Sequence, residues 1–154
     1  MEVSETRVLF VCIGNACRSP MALGFARAYG SDVIKAQSAG LAPAGAVSSL
    51  TRKVMLEKNV DLAEEFPKTL EMLDLAEFDV IVNMSGYPFP IATDAVVENW
   101  TVRDPIGESE EVYQQVRDQI EQRVMRMILE LRSRKRPVAV ETARVDTQRR
   151  SPRQ

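Results

Sequence analysis

The residues most able to do chemistry lie in one stretch, Val8–Ala22, which reads VLFVCIGNACRSPMA. Cys12 follows an apolar run, and Arg18 lies beyond a short polar segment. That segment contains Gly14 and Asn15, two residue types that readily adopt left-handed backbone angles. The pattern predicts a loop whose successive N–H groups point inward. Such a ring of amides at a helix N-terminus binds phosphate-like dianions.

The chemistry expected of this loop is attack by a thiolate on a bound oxyanion. Backbone amides and a nearby cation favour the thiolate of Cys12 over the thiol. The planar guanidinium of Arg18 can hold two oxygens of the anion at once, which a lysine cannot do. Ser19 can donate its hydroxyl to the thiolate and cap the helix that begins near Pro20. The alternative is a buried structural cysteine in an ordinary strand-to-helix turn.

A second candidate for chemistry, Asp104, lies late in the chain and is followed by Pro105. It comes after the last predicted strand, in a loop whose backbone the proline stiffens. A carboxyl group there can protonate a leaving group as general acid and later activate water as general base. The alternative is an ordinary Asp-Pro turn.

Alternating strands and helices are needed to position these residues. The predicted strands span residues 8–11, 33–38, 78–84 and 95–100, and the predicted helices span residues 19–30, 49–58, 69–76 and 109–131. This alternation predicts a doubly wound α/β fold, a parallel sheet with helices on both faces. Ligands of such sheets bind beyond the carboxyl ends of the strands, where the loop after the first strand lies.

Composition limits the other possibilities. The 154 residues fit one domain, and contents of 45% hydrophobic and 27% charged residues are ordinary for a globular protein. No apolar run predicts a membrane span and the first residues lack a signal-peptide core, so a cytoplasmic location is expected. Histidine is absent, which excludes Cys-His and Ser-His pairs and most zinc sites. We therefore expect no metal and no cofactor.

The C-terminal end differs in charge from the rest of the chain. From Arg132 to Gln154 there are eight basic residues against Glu141 and Asp146. We predict a catalytic domain over residues 1–134 and a basic, disordered tail over residues 135–154. The tail could contact a polyanion or its own acidic domain, but no nucleic-acid partner is predicted.

Cys12 and Arg18 are separated by five residues, and Ser19-Pro20 follows. This pattern resembles that of the low-molecular-weight protein tyrosine phosphatase family, which includes thiol-coupled arsenate reductases. The resemblance also covers Ser38-Ala39-Gly40 and Asp104-Pro105. It implies a flavodoxin-like sheet of four parallel strands in the order 2-1-3-4. It further implies that Ser38 braces the loop through Asn15. The residues that would bind phosphate are Ile13, Gly14, Asn15, Ala16, Cys17 and Arg18.

The second cysteine, Cys17, lies within the same loop. It could capture an oxidised Cys12 as a reversible disulfide and so protect it from overoxidation. The alternative is a small buried thiol that fills the underside of the loop.

Two activities fit the resemblance. The preferred prediction is hydrolysis of a phosphomonoester, on a protein or a small molecule, through a cysteinyl-phosphate at Cys12 with Asp104 as general acid. The alternative is arsenate reduction with an external thiol such as glutathione, mycothiol or thioredoxin. A third possibility is a non-catalytic phosphate-binding module.

Some residues of the chain are similar to those of the phosphatases and others to those of the reductases. Pro20 is similar to the phosphatase form of the loop, whereas the stretch 42–45 and Asn99-Trp100 are similar to the reductases. The thioredoxin-coupled reductases use further cysteines after the third strand, where this chain has Met84-Ser85. Phosphatases of the family usually flank the pocket with aromatic rings. The remaining candidates for such a wall are Tyr87, Phe89 and Trp100.

Overall fold

Four short apolar segments form one parallel sheet in the computed structural model, which describes residues 5–134. The strands are β1 (Thr6–Cys12), β2 (Ile34–Gly40), β3 (Val80–Asn83) and β4 (Val96–Asn99). Their order is β2-β1-β3-β4, and each neighbouring pair is parallel. The predicted order 2-1-3-4 is therefore confirmed. From β1 the chain continues to β2 on one side, and from β2 it crosses to β3 on the other side of β1. The loop after β1 therefore lies at the switch point of the sheet.

One face of the sheet is covered by three α-helices, α1 (Arg18–Gly30), α2 (Ser49–Leu56) and α3 (Glu110–Arg134). The larger hydrophobic core lies between these helices and the strands. Its largest fully buried side chains include Phe10, Met21, Phe25, Tyr113 and Ile120. This core fixes α1, and with it the loop that precedes α1, against β1.

The opposite face carries a smaller cluster that includes Leu9, Ile81 and Leu70. Two 3-10 helices cover it, Leu70–Met72 and Leu75–Glu77. The short helix predicted over residues 69–76 is thus divided into two 3-10 helices, because Leu73 between them is extended, with φ −124° and ψ 151°. The carboxylate of Asp74 then accepts the N–H of Ala76 and begins a new turn.

The start of α1 also differs from the prediction. The helix begins at Arg18, so Ser19 lies inside it and does not cap it. The hydroxyl of Ser19 is thereby free to face the loop. Within residues 5–134, no helix has both the length and the apolar character needed to cross a membrane. The predicted basic tail, 135–154, lies outside the described residues.

Candidate active site

Hydrogen bonds from its carbonyl groups attach the loop between β1 and α1 to the segment 41–48. Four of its carbonyl oxygens accept N–H groups of the segment 41–48 at 2.8–3.0 Å, and they belong to Cys12, Ile13, Gly14 and Ala16. Across a trans peptide the carbonyl and the following N–H point in opposite directions. The amides that follow these carbonyls are therefore turned away from segment 41–48, towards the interior of the loop.

Asn15 ties the loop to three other parts of the chain. Its side chain donates to Ser19 Oγ at 2.7 Å and to Ser38 Oγ at 3.0 Å, and it accepts the backbone N–H of Lys68 at 2.9 Å. Its φ of 52° is the left-handed angle expected from the sequence. The same expectation is wrong for Gly14, which is not in the left-handed region. A glycine could adopt the same backbone angle at position 15, but it would lack the side chain that makes these three hydrogen bonds.

Gly40, at the end of β2, allows the close approach of that strand to the loop. A Cβ atom there would lie 2.7 Å from the carbonyl oxygen of Ile13 and 2.9 Å from the backbone nitrogen of Asn15. Both contacts are to backbone atoms, so they cannot be relieved by a rotamer change. Glycine is required at this position by packing.

Cys12 lies at the base of the loop with 2% of its surface exposed. Its Sγ is 3.0 Å from Ser19 Oγ, and the backbone N–H of Ser19 points to the sulfur at 3.4 Å. Since Ser19 Oγ already accepts a hydrogen from Asn15, its own proton is available to the sulfur. The arrangement favours a sulfur that carries negative charge.

Arg18 is 4% exposed and is fixed from one side. Its Nη1 donates to the carbonyl oxygens of Met84 and Val102, and its Nη2 lies 3.4 Å from Asp104 Oδ2. Among residues 5–134, its buried Nε has no hydrogen-bond partner. Nε and Nη2 form one edge of the planar guanidinium, the edge that binds two oxygens of a tetrahedral anion.

Asp104 lies at the rim, with its side chain 38% exposed. One carboxylate oxygen accepts the N–H of Ile106 at 3.1 Å, and the other faces Arg18. The structure thus brings Asp104 to the same pocket as Cys12 and Arg18. A carboxyl group in this position can exchange protons with a ligand and with solvent.

The pocket is small, and no aromatic side chain of residues 5–134 lines it. Its volume is about 180 Å³, and among the described residues its walls are formed by Cys12, Ile13, Gly14, Ala16, Cys17, Arg18, Ala44, Asp104 and Ile106. The three aromatic candidates lie elsewhere. Tyr87 is exposed, Phe89 packs on the smaller cluster, and Trp100 is buried 6.1 Å from the ring of Phe10.

The position expected for a further redox cysteine is occupied by a hydrogen-bonded serine. The buried hydroxyl of Ser85 donates to Asn83 Oδ1 at 2.7 Å, and Asn83 Nδ2 donates to the carbonyl oxygen of Tyr87 at 2.7 Å. The chain contains two cysteines in all. Within the chain, the one further thiol besides Cys12 is therefore Cys17.

Cys17 is a free, buried thiol that lines the same pocket as Cys12. Its Sγ lies 3.7 Å from the hydroxyl of Tyr113. Burial raises the pKa of Cys17, and the hydroxyls of Thr51 and Tyr113 oppose that rise. Sequence reasoning missed Thr51 and Tyr113, because neither belongs to a motif and each reaches the loop through packing.

Comparison with known proteins gives a consistent result. Residues 7–89 match the family described as low molecular weight phosphotyrosine protein phosphatase. The glutaredoxin arsenate reductase of Synechocystis sp. is 33% identical over 129 residues, covering 81% of this chain and 98% of the relative.

Two solved structures are similar over most of the chain. The first is an arsenate reductase in the phosphate-binding state, with TM-score 0.75, 30% identity, and coverage of 82% of this chain and 98% of that one. The second is the YwlE arginine phosphatase of Geobacillus stearothermophilus, with TM-score 0.75, 26% identity, and coverage of 84% and 95%. The similar proteins thus include both arsenate reductases and a phosphatase.

Proposed function

Because the chain belongs to the low molecular weight phosphotyrosine protein phosphatase family, we propose that it is an arsenate reductase whose nucleophile is Cys12 and whose final reductant is an external thiol. This reverses the preference for phosphatase drawn from the sequence. The similarity to a relative named glutaredoxin arsenate reductase supports the change. A glutathione- or glutaredoxin-type thiol is accordingly the reductant to try first.

The observation that carries the proposal is the form of the pocket. Its volume of about 180 Å³ is below the roughly 300 Å³ at which pockets for drug-sized ligands begin. Among the described residues, the apolar part of its wall is formed by Ile13, Ala16, Ala44 and Ile106, whereas a phenol ring would need an aromatic partner there. The Nε–Nη2 edge of Arg18, whose Nε has no partner among the described residues, and the loop amides suit a bare tetrahedral oxyanion. Arsenate has the shape and charge of phosphate.

The proposed reaction has two stages. The Cys12 thiolate attacks arsenic, an S–As bond forms, and one oxygen leaves as water with a proton from Asp104. A second thiolate then attacks the sulfur of Cys12. An S–S bond forms, the S–As bond breaks with its electron pair left on arsenic, and arsenite departs. A further thiol reduces the disulfide.

The test is arsenate-dependent oxidation of added thiols by the full chain. Glutathione alone, glutathione with glutaredoxin, and thioredoxin with its reductase are compared, each with wild type and Cys12→Ser. We expect turnover that is lost in Cys12→Ser and inhibited by phosphate. No arsenate-dependent thiol oxidation with any of these reductants would overturn the proposal.

Phosphomonoester hydrolysis is the second candidate, and the position of Asp104 favours it. A carboxyl group at the rim beside Arg18 is what expulsion of an alkoxide or phenoxide requires. The absence of a third cysteine from the chain also suits a reaction without electron transfer. Hydrolysis of an aryl phosphate, measured on the same samples, decides between the two: fast Cys12-dependent hydrolysis without arsenate turnover identifies the phosphatase.

A further inference from the structure

We propose that the groove between the second half of α3 and strand β4, called here the α3–β4 groove, is the docking site for a segment of the same chain, residues 137–141. This segment reads PVAVE and begins three residues after the end of α3. Among the described residues, the groove shares no lining side chain with the pocket of Cys12. The inference therefore holds for either of the two candidate activities.

The floor of the α3–β4 groove is apolar. A cavity of about 210 Å³ lies there between α3 and the strands, and its apolar lining is formed by Val8, Val80, Trp100, Met127 and Leu131. Because β4 is the edge strand, no further strand of the described sheet closes the groove on that side. An apolar floor of this kind favours an occupant with apolar side chains.

Charged side chains surround this floor. The guanidinium of Arg123 lies 4.8 Å from the centre of the Trp100 ring. Arg126 and Glu130 also line the groove. They are four residues apart on α3, a spacing at which opposite charges commonly pair, yet within residues 5–134 neither forms an ion pair. The rim therefore offers an occupant both a positive and a negative group.

The apolar part of the segment 137–141 matches the floor. Val138 and Val140 are two positions apart, so both lie on the same side of an extended segment and can enter the groove together. Pro137 precedes them. Proline is common just beyond the end of a helix because it cannot continue one, which suits a reversal of the chain at this point.

The charges beside the two valines match the rim. Glu141 follows them and supplies a carboxylate for Arg126. The basic pair at positions 135 and 136 precedes them and supplies cations for Glu130. The order of charges along the chain, basic and then acidic, is the order that a segment running back along α3 would meet.

The length of the connection allows this path. Arg134, the last residue of α3, itself lines the groove, and Arg126 lies eight residues earlier in the helix. Eight helical residues span about 12 Å. Glu141 is seven residues beyond Arg134, and an extended chain of that length reaches about 23 Å. The carboxylate can thus reach Arg126 with chain to spare for the turn.

The covalent connection favours this occupant over a separate molecule. A segment joined by a short linker acts at an effective concentration in the millimolar range, so that weak contacts suffice to hold it. Overall charge acts in the same direction. The chain carries −2 and residues 132–154 carry +6, from eight basic and two acidic residues, so residues 1–131 carry −8. The acidic body attracts the basic end of the chain.

NMR spectroscopy of the full chain tests the proposal. Trp100 is the single tryptophan, and its indole N–H, which donates to Glu98 at 3.2 Å beside the groove, gives one isolated signal. In wild type, methyl groups of Val138 and Val140 should show nuclear Overhauser effects to the Trp100 ring. The amides of residues 138–141 should relax like those of the folded domain. Dilution should change neither result, because the contact is made within one molecule.

Two aspartates remove the apolar contact. In the double variant Val138→Asp, Val140→Asp, the ratio of docked to undocked segment should fall by at least about tenfold, since two buried valines are lost. The Trp100 indole signal should shift and the amides of residues 138–141 should relax like a free chain. Val145→Asp, four residues beyond the segment, is the control and should leave both readouts unchanged. Unchanged signals from β1 and α1 verify that the variants are folded.

A charge exchange tests the pair between Glu141 and Arg126. Arg126→Glu should lower the docked ratio about two- to fivefold, as expected for an exposed ion pair. Combining it with Glu141→Arg should restore the ratio to the wild-type value. Failure of the combination to restore docking would refute this pair.

Three outcomes would overturn the proposal as a whole. The first is the absence of any contact from Val138 or Val140 to Trp100 in wild type. The second is a Trp100 signal that is the same in wild type and in the double aspartate variant. The third is a contact that is lost on dilution, which would assign the groove to a second copy of the chain.

Discussion

The hydroxyl oxygen of Ser19 lies 3.0 Å from the sulfur of Cys12, inside the first turn of α1 and not at its cap. The same oxygen accepts a hydrogen from Asn15, so the serine proton is directed to the sulfur. The backbone N–H of Ser19 approaches the sulfur as well. Ser19 thus offers two hydrogen-bond donors to the sulfur of Cys12.

Replacing Ser19 by alanine should make Cys12 a weaker nucleophile. Loss of a hydrogen bond to a charged group costs about 1.5–3 kcal/mol, so alkylation of Cys12 at neutral pH should slow by about tenfold or more. The rate is measured with iodoacetamide and quantified by mass spectrometry. Ser85→Ala is the control, because Ser85 is also buried but bonds to Asn83 and Tyr87. Equal rates in Ser19→Ala and wild type would remove the role given to this hydroxyl.

Replacing Asp104 by asparagine should remove the proton donor while keeping the turn. The amide oxygen can still accept the N–H of Ile106, as the carboxylate does at 3.1 Å. We expect turnover of a phosphomonoester with a poor leaving group to fall by about 10²–10⁴-fold, with a smaller loss for a good leaving group. Asp74→Asn is the matched control, since Asp74 makes the same kind of turn with Ala76 far from the pocket. A loss that is equal for both leaving groups would show that Asp104 does not act as an acid.

Replacing Arg18 by lysine should weaken anion binding although the charge is kept. Lysine cannot reproduce the pair of donors, Nε and Nη2, on one edge of the guanidinium, and it would also lose the contacts to the Met84 and Val102 carbonyls. The dissociation constant of phosphate should rise by about 10- to 100-fold, as expected for loss of charged hydrogen bonds. Calorimetry or protection of Cys12 from alkylation measures it. Arg27→Lys, at an exposed ion pair with Glu65, should leave phosphate binding unchanged.

Replacing Gly40 by alanine should distort the loop between β1 and α1. The added Cβ would lie 2.7 Å from a backbone oxygen, and relief of such overpacking costs about 1–3 kcal/mol. We expect a lower free energy of unfolding in urea and weaker phosphate binding. Gly45→Ala is the control, because nothing lies within 4 Å of a Cβ at that position. Identical urea midpoints and phosphate affinities for the two variants would contradict the packing argument.

The raised pKa values of Cys17 and Tyr113 predict a loss of stability at alkaline pH. Burial is the main cause for both groups, which start from ordinary values of 9.0 and 10.0. A group whose pKa is higher in the folded state contributes stability that is complete below its unfolded pKa and is lost as pH rises through the folded pKa. The free energy of unfolding should therefore decline above about pH 9. The decline should be shallower in Cys17→Ser, and urea unfolding at several pH values measures it.

The part of the site that could be predicted from the sequence is the part set by chain connectivity. Cys12 and Arg18 belong to one short loop, so their proximity follows from the strand and helix around them. Asp104 was predictable because the carboxyl ends of parallel strands share one edge of a sheet. The order of the strands followed from the family resemblance and is confirmed by the structure.

The part that could not be predicted depends on packing between distant elements. Tyr113 lies among apolar residues of a helix, and nothing in that pattern indicates that its hydroxyl meets Cys17. Thr51 is one of several small polar residues around the start of α2. Leu70 and Leu73 fit a helical pattern as well as two 3-10 helices, and the carboxylate of Asp74 decides between them. The preference for a phosphatase drew on Pro20 and on the lack of a cysteine at Met84-Ser85, whereas the place of the three aromatic candidates could be learned only from the structure.

Helix α3 runs from the active site to the far end of the domain. Tyr113 near its start touches Cys17, and Arg132 near its end binds Asp32 and the carbonyl oxygen of Tyr29. At about 1.5 Å per residue these two points are some 28 Å apart. A tether attached at Arg134 would therefore pull on the domain at the end of α3 opposite to the residue that touches Cys17.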